Sequence, residues 1–166
     1  MKFWGHHSAL GGAAAVLACA ADQLFKAWMI GVLDASPVHK IVLAPFFDLA
    51  LVWNRGISYG LLKQEGDAGR WGLVAISLVA VLGLAYWLAH VHNRFSAVAI
   101  GLIIGGALGN VIDRVQYGAV ADFFSFHIGT FHWYIFNLAD VAIVGGVAGL
   151  LFESLKVSHK SAGKQA

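Results

Sequence analysis

The reading of the chain turns on Gly101-Leu102-Ile103-Ile104-Gly105-Gly106-Ala107-Leu108-Gly109-Asn110-Val111-Ile112-Asp113-Arg114. Up to Ile112 this stretch carries no charge, and it closes an uncharged run that begins at Phe95. Such a run can cross a bilayer core as a helix, which takes roughly 20 residues rising about 1.5 Å each. Its glycines suit close helix contact in lipid, where packing drives association and hydrophobic exclusion does not. At the far end the apolar run gives way to Asn, Asp and Arg, groups that are expensive in a bilayer unless they have partners or a task.

Three more runs have the same character. Phe3 to Ala21 has no formal charge and continues past Asp22 to Ile30; Trp71 to Ala89 is uncharged; Phe131 to Phe152 is interrupted only by Asp140. Of the 166 residues 59% are hydrophobic and 12% charged, against about 45–50% and about 25% in a soluble domain. A water-soluble globule and a disordered chain are both excluded. The expected fold is mainly α: a polytopic membrane protein with four transmembrane helices, one domain over 1–166. A net charge of +2 without a basic run gives no reason to expect nucleic acid, and Cys19, the single cysteine, excludes an internal disulfide. Lys2 followed by an apolar stretch ending in Val16-Leu17-Ala18-Cys19 imitates a cleavable secretory signal with a lipobox. Three further spans and the charged pair Asp22 and Lys26 beyond Cys19 favour a retained first helix.

Between the spans, residues 31–70 are expected to form a β-rich insertion. Phe46 to Trp53 reads as a strand, bounded by Pro45 and Asn54-Arg55-Gly56. Gly118 to Ile128 has a similar mixture of aromatic and β-branched residues, so a small sheet can form on one membrane face; whether the two segments pair is open. His90 to Arg94 is a tight turn, and 156–166 is expected to be a flexible tail. Four spans place both termini on one side. The density of Lys and Arg in the short turn and tails puts that side in the cytoplasm.

Spacing says which polar residues can meet. Asp22 and Lys26 are four apart with the acid first, the favourable helical order. Asn110, Asp113 and Arg114 fall at i, i+3 and i+4 and share a helix face, as do Asn137 and Asp140. Structural charge neutralisation accounts for Asp22–Lys26 and Asp113–Arg114, and Arg114 can also orient a carboxylate by a bidentate contact. Asp122 and Asp140 have no adjacent cation in sequence. Asp140 stands about 14 Å along the fourth run if that run is helical throughout, a depth at which an unpaired carboxylate takes up a proton. If Asp122 folds back to meet it, the two can share one proton, one acting as base toward a water and the other donating to a carbonyl oxygen. That is aspartic-peptidase chemistry. A structural or relay pair remains open, and with it a non-enzymatic proton or cation transporter subunit. Cys19 has His6 and His7 only toward the opposite membrane face, Ser58 and Ser125 lack a G-x-S-x-G context, and His127 with His132 make a poor zinc site on their own.

Taken together, Asp22-Gln23 with Lys26, Asn54-Arg55-Gly56-Ile57-Ser58-Tyr59, the run from Gly105 to Arg114, Val120-Ala121-Asp122-Phe123 and Phe136-Asn137-Leu138-Ala139-Asp140 resemble, in order and spacing, the signature blocks of lipoprotein signal peptidase, or signal peptidase II. The resemblance covers nearly the whole chain. Tyr59 stands where the family often has phenylalanine and Ile57 where a smaller residue is common, departures that bear on the shape of the substrate groove. The resemblance implies a bacterial inner-membrane aspartic endopeptidase, with a periplasmic β-rich cradle and its active site toward the periplasm. The implied substrate is a diacylglyceryl-modified prolipoprotein, cut before the lipidated cysteine. It makes Asp122 and Asp140 the catalytic pair. Asn54, Gly56, Asn110, Asp113, Arg114, Asn137 and Ala139 become residues kept around the site, and Asp22 and Lys26 a support near the first helix. It implies no metal or organic cofactor, a monomer, and substrate and membrane lipids as partners.

Overall fold

The computed structural model describes residues 4–34, 40–56 and 67–162. Four helices, α1 (Ser8–Asp34), α2 (Asp67–Leu88), α3 (Arg94–Tyr117) and α4 (Leu138–Ala162), alternate with strands β1 (Lys40–Ala44), β2 (Phe47–Asn54), β3 (Val120–Ile128) and β4 (Phe131–His132). Each helix contains a stretch long and apolar enough to cross a membrane. The outward faces are apolar, as at Val16, Leu24, Leu82 and Val144, all more than 60% exposed, which is the arrangement expected where the solvent is lipid. The protein is a multi-pass membrane protein.

Helix α3 is the hub. In its most apolar window 56% of residues are buried, against 22% or less in the other three helices. It starts at Asn93, whose side chain accepts from the Ser96 amide at 2.7 Å, and stops at Gly118. There φ of 76° closes the helix end with a hydrogen bond back to the Arg114 carbonyl. Along one face, a Cβ on Gly101 would lie 2.2 Å from the Gly11 carbonyl oxygen, and one on Gly105 2.4 Å from that of Ala15. Toward α4, a Cβ on Gly106 would lie 2.4 Å from the Ala139 oxygen. These glycines bring three backbones into direct contact, so polar side chains at the ends of α1, α3 and α4 fall within reach of one another.

At that end the strands form an antiparallel sheet in the order β1-β2-β3-β4. The two segments whose pairing was open do pair, with Phe47 opposite Phe126 and Asn54 opposite Val120. Strands β1 and β4 were not expected. Met29 and Leu33 at the end of α1 pack on Ala121 and Phe123 of β3, anchoring the sheet to the bundle. On the sheet, Asp48 is buried between Lys40 at 2.7 Å and His127 at 2.8 Å. The Lys40 ammonium, helped by His127, holds its carboxyl below the usual carboxylate range despite burial.

Two boundaries depart from expectation. The fourth helix begins at Leu138, not Phe131, because the apolar residues before it are spent on β4 and on a segment bridged to β3 at Phe124 and Phe136. Average hydropathy cannot separate an apolar strand from an apolar helix. At the other end α4 runs to Ala162, into the stretch expected to be a tail; residues 163–166 lie outside the described residues.

Candidate active site

Asp140 is in the first turn of α4, not deep within a span, and a reciprocal cap holds it there. Asn137 Oδ1 accepts from the Asp140 amide at 3.0 Å while Asp140 Oδ2 accepts from the Asn137 amide at 3.2 Å. This is the capping-box arrangement, with Asn and Asp in the two roles. The other Asp140 oxygen accepts from Asn110 Nδ2 at 3.0 Å. Asp122 comes from β3 and is 1% exposed. Its Oδ1 accepts from Asn137 Nδ2 at 2.6 Å, and its Oδ2 from Asn54 Nδ2 at 3.1 Å and the Tyr134 hydroxyl at 3.4 Å. Asn137 is thus bonded to both carboxylates. Burial pushes the Asp122 carboxyl up to about 7, and the neighbouring charge of Asp140 adds to the rise. Both acids line one cavity of about 760 Å³, walled by Asn54 and Gly56 above and by Ser77 of α2, Ala107 of α3 and Val144 of α4 below.

Behind the pair lies a buried ionic cluster. Lys26, 2% exposed, pairs with Asp22 at 2.9 Å and with Asp113 at 2.7 Å. One cation cannot neutralise two acids, and neutral donors complete the set. Gln23 Nε2 donates to both carboxylates and to the Gly109 carbonyl, the Ala121 amide to Asp113 at 3.1 Å, and the Ala139 amide to Asp22 at 2.9 Å. Lys26 also donates to Asn110 Oδ1 at 3.2 Å. An ammonium has no acceptor, so this contact holds the Asn110 oxygen toward Lys26 and turns its NH2 toward Asp140.

The expected Asp113–Arg114 pair does not form: consecutive helical residues point about 100° apart, and Asp113 turns to Lys26. Nor does Arg114 clamp a carboxylate. It donates to the Asn110 carbonyl at 3.3 Å and the Gly56 carbonyl at 3.1 Å, tying α3 to the chain after β2, where the Gly56 amide donates to Asn54 Oδ1 at 3.0 Å. Asn54, Gly56, Asn110, Asp113, Asn137, Ala139, Asp22 and Lys26 are all drawn into this network. Ile57, Ser58 and Tyr59 lie outside the described residues. His127 is engaged with Asp48 on the sheet, and no group of three or more potential metal ligands occurs among the described residues. Sequence reasoning left two participants without a role, Gln23 and Tyr134. Gln23 adjoins Asp22 and was signalled by it, whereas Tyr134 among Trp133 and Phe136 reads only as one more aromatic.

Residues 14–156 match the sequence model of the family described as signal peptidase (SPase) II. The lipoprotein signal peptidase of Methylorubrum extorquens (strain PA1) is 54% identical over 151 residues, covering 90% of this chain and 88% of that protein. The lipoprotein signal peptidase of Beijerinckia indica subsp. indica is 54% identical over 145 residues, 87% of each. Among solved structures, a bacterial membrane enzyme determined by the in meso method at 2.3 Å superposes with a TM-score of 0.76 at 30% identity, covering 89% of this chain and 88% of that one. Another at 1.9 Å gives 0.76 at 27% identity, covering 94% and 98%. With the family match spanning residues 14–156 of a chain in which α1, α3 and α4 bring their polar ends together, this protein belongs to the signal peptidase II family.

Proposed function

We propose that the protein is an aspartic endopeptidase of the bacterial inner membrane that removes signal peptides from diacylglyceryl-modified prolipoproteins, cutting before the lipidated cysteine, with Asp122 and Asp140 as the catalytic pair. The observation that carries this reading is that two carboxylates from different elements are bonded to one residue, Asn137, Asp122 by its side-chain amide and Asp140 by its backbone amide, and line one cavity at the polar end of the helices. The peptidase names of the relatives favour it over an ion relay. Acyl chains embedded in lipid deliver the scissile bond to the membrane boundary, so the bilayer supplies much of the positioning.

Asp122, with its raised carboxyl, serves as the acid and Asp140 as the base. A water held between them attacks the scissile carbonyl carbon; its proton passes to Asp140, and the Asp122 proton passes to the carbonyl oxygen, giving a neutral gem-diol. Collapse breaks the C–N bond. The cysteine nitrogen takes the proton from Asp140, and a gem-diol hydroxyl returns one to Asp122. Neither metal nor organic cofactor is required. By the positive-inside rule the termini are cytoplasmic and the site periplasmic.

The test is incubation of purified protein with a synthetic diacylated prolipoprotein peptide and mass analysis of the products. Cleavage before the modified cysteine is expected. Asp122→Asn and Asp140→Asn should each lose essentially all turnover while remaining folded in detergent; near-normal turnover by either removes the pair. Ion flux in proteoliposomes without cleavage would favour a transporter.

A further inference from the structure

Tyr134 lies in the short segment between β4 and α4 that also carries Asn137. Backbone hydrogen bonds of Phe136 with Phe123 and Phe124 pin this segment against β3. It therefore holds Asp122 from both sides: Asn137 bonds Oδ1, and the Tyr134 hydroxyl reaches Oδ2 at 3.4 Å. The same hydroxyl is hydrogen-bonded by Asn54 Nδ2, which also donates to Asp122 Oδ2. Three groups from three parts of the chain thus form a closed triangle at one carboxylate oxygen. An amide NH2 can only donate, so the tyrosine oxygen accepts from Asn54 and its single proton is directed at Asp122. Tyr134 is half-buried and lines the cavity. Phenylalanine would fill the same ring volume beside Trp133 and Phe136, which leaves the hydroxyl as the atom that distinguishes this position.

We propose that Tyr134 is a positioning residue of the reaction, its hydroxyl joining Asn54 to Asp122 and fixing the direction in which the Asp122 carboxyl faces the cavity. The proposal rests on Asp122 and Asp140 being the reacting pair. Tyr134 acts on the reaction through Asp122, and without it Oδ2 is held by the Asn54 amide alone while that amide loses its second acceptor. A donor aimed at a carboxylate favours the ionised form, so the hydroxyl also moderates the proton affinity of Asp122. The other charged groups facing Asp122 are Asp140 from α4, Lys26 from α1 and Arg114 from α3; Tyr134 leaves them in place when it changes.

The experiment compares Tyr134→Phe, Asp122→Asn and the unaltered full chain on the diacylated peptide, with kcat and KM measured across pH. Tyr134→Phe is expected to lower kcat about tenfold, the loss of one hydrogen bond at the reacting carboxyl, with KM within about twofold. The alkaline limb of its profile should move to higher pH by about half a unit or more. Replacement of Tyr134 by 3-fluorotyrosine keeps the ring and strengthens the donor, so the limb should move the opposite way. Tyr134→Phe with unchanged kcat and an unmoved limb overturns the proposal. If Tyr134→Phe does not fold, a fluorotyrosine protein whose limb stays put overturns it. Near-normal turnover by Asp122→Asn would instead sink the pair itself, whereas an inactive Asp122→Asn beside an unaffected Tyr134→Phe sinks only the role of Tyr134.

Discussion

Lys26 shows how much a single side chain can organise. Its ammonium joins Asp22 on its own helix to Asp113 on α3 and, through Asn110, aims an N–H at Asp140. Removing one partner of a buried ion pair commonly costs about 3–5 kcal/mol because the remaining charge is stranded. Lys26→Met strands two. It is expected to lower the thermal unfolding temperature in detergent and to abolish cleavage; a stable, active variant would show that the cluster is dispensable. The raised Asp122 carboxyl makes a prediction with a definite sign. Its protonated form dominates below about 7 and is lost as pH rises through that value, so kcat/KM should fall above that point, and a rate that stays level to strongly alkaline pH would contradict Asp122 as the acid. The lone acids Asp122 and Asp140 were legible in the sequence because no cation stood beside them. The partner of Asp113 was not, since helical spacing within α3 says nothing about which neighbouring helix supplies a charge.

The elements were legible to different degrees for one physical reason: the membrane imposes a length on helices but not on strands. Uncharged runs marked α2 and α3 within a few residues of their observed bounds. The start of α4 was misplaced, although Asn137 and Asp140 carry the spacing of a helix start, because the aromatic segment before them is as apolar as the helix itself. Strand β1 is short, and β4 spans only Phe131–His132, too brief for any alternation to register. At the α1–α3 contact, Gly105→Val should prevent close approach: its branches would extend from a Cβ already 2.4 Å from the Ala15 oxygen. Loss of folded protein in the membrane fraction is expected, and normal accumulation would contradict the contact. In the sheet, the depressed Asp48 carboxyl stabilises β1–β2–β3 at pH above the ordinary carboxylate range, and that contribution disappears as pH falls through its lowered value. Faster amide exchange in β1 and β2 should follow from Asp48→Asn at neutral pH, and unchanged protection would remove the role assigned to the Lys40–Asp48–His127 bridge.

Helix α3 lies between α2 and α4 and packs on both. The cavity is walled by Ser77 on one side and by Val141 and Val144 on the other, and these valines are 50% and 66% exposed. On that side the cavity lining therefore reaches the apolar outer surface of the helices. A peptide of the same sequence without acyl chains lacks the anchor that brings it there, and should be cleaved with a KM raised at least tenfold and a smaller change in kcat; equal KM values would show that the bilayer contributes nothing to capture. Capture from that surface changes what counts as concentration. The enzyme meets its substrate by two-dimensional diffusion, so turnover should follow the mole fraction of prolipoprotein among membrane lipids, and adding inert phospholipid at constant total substrate should slow the reaction by surface dilution alone.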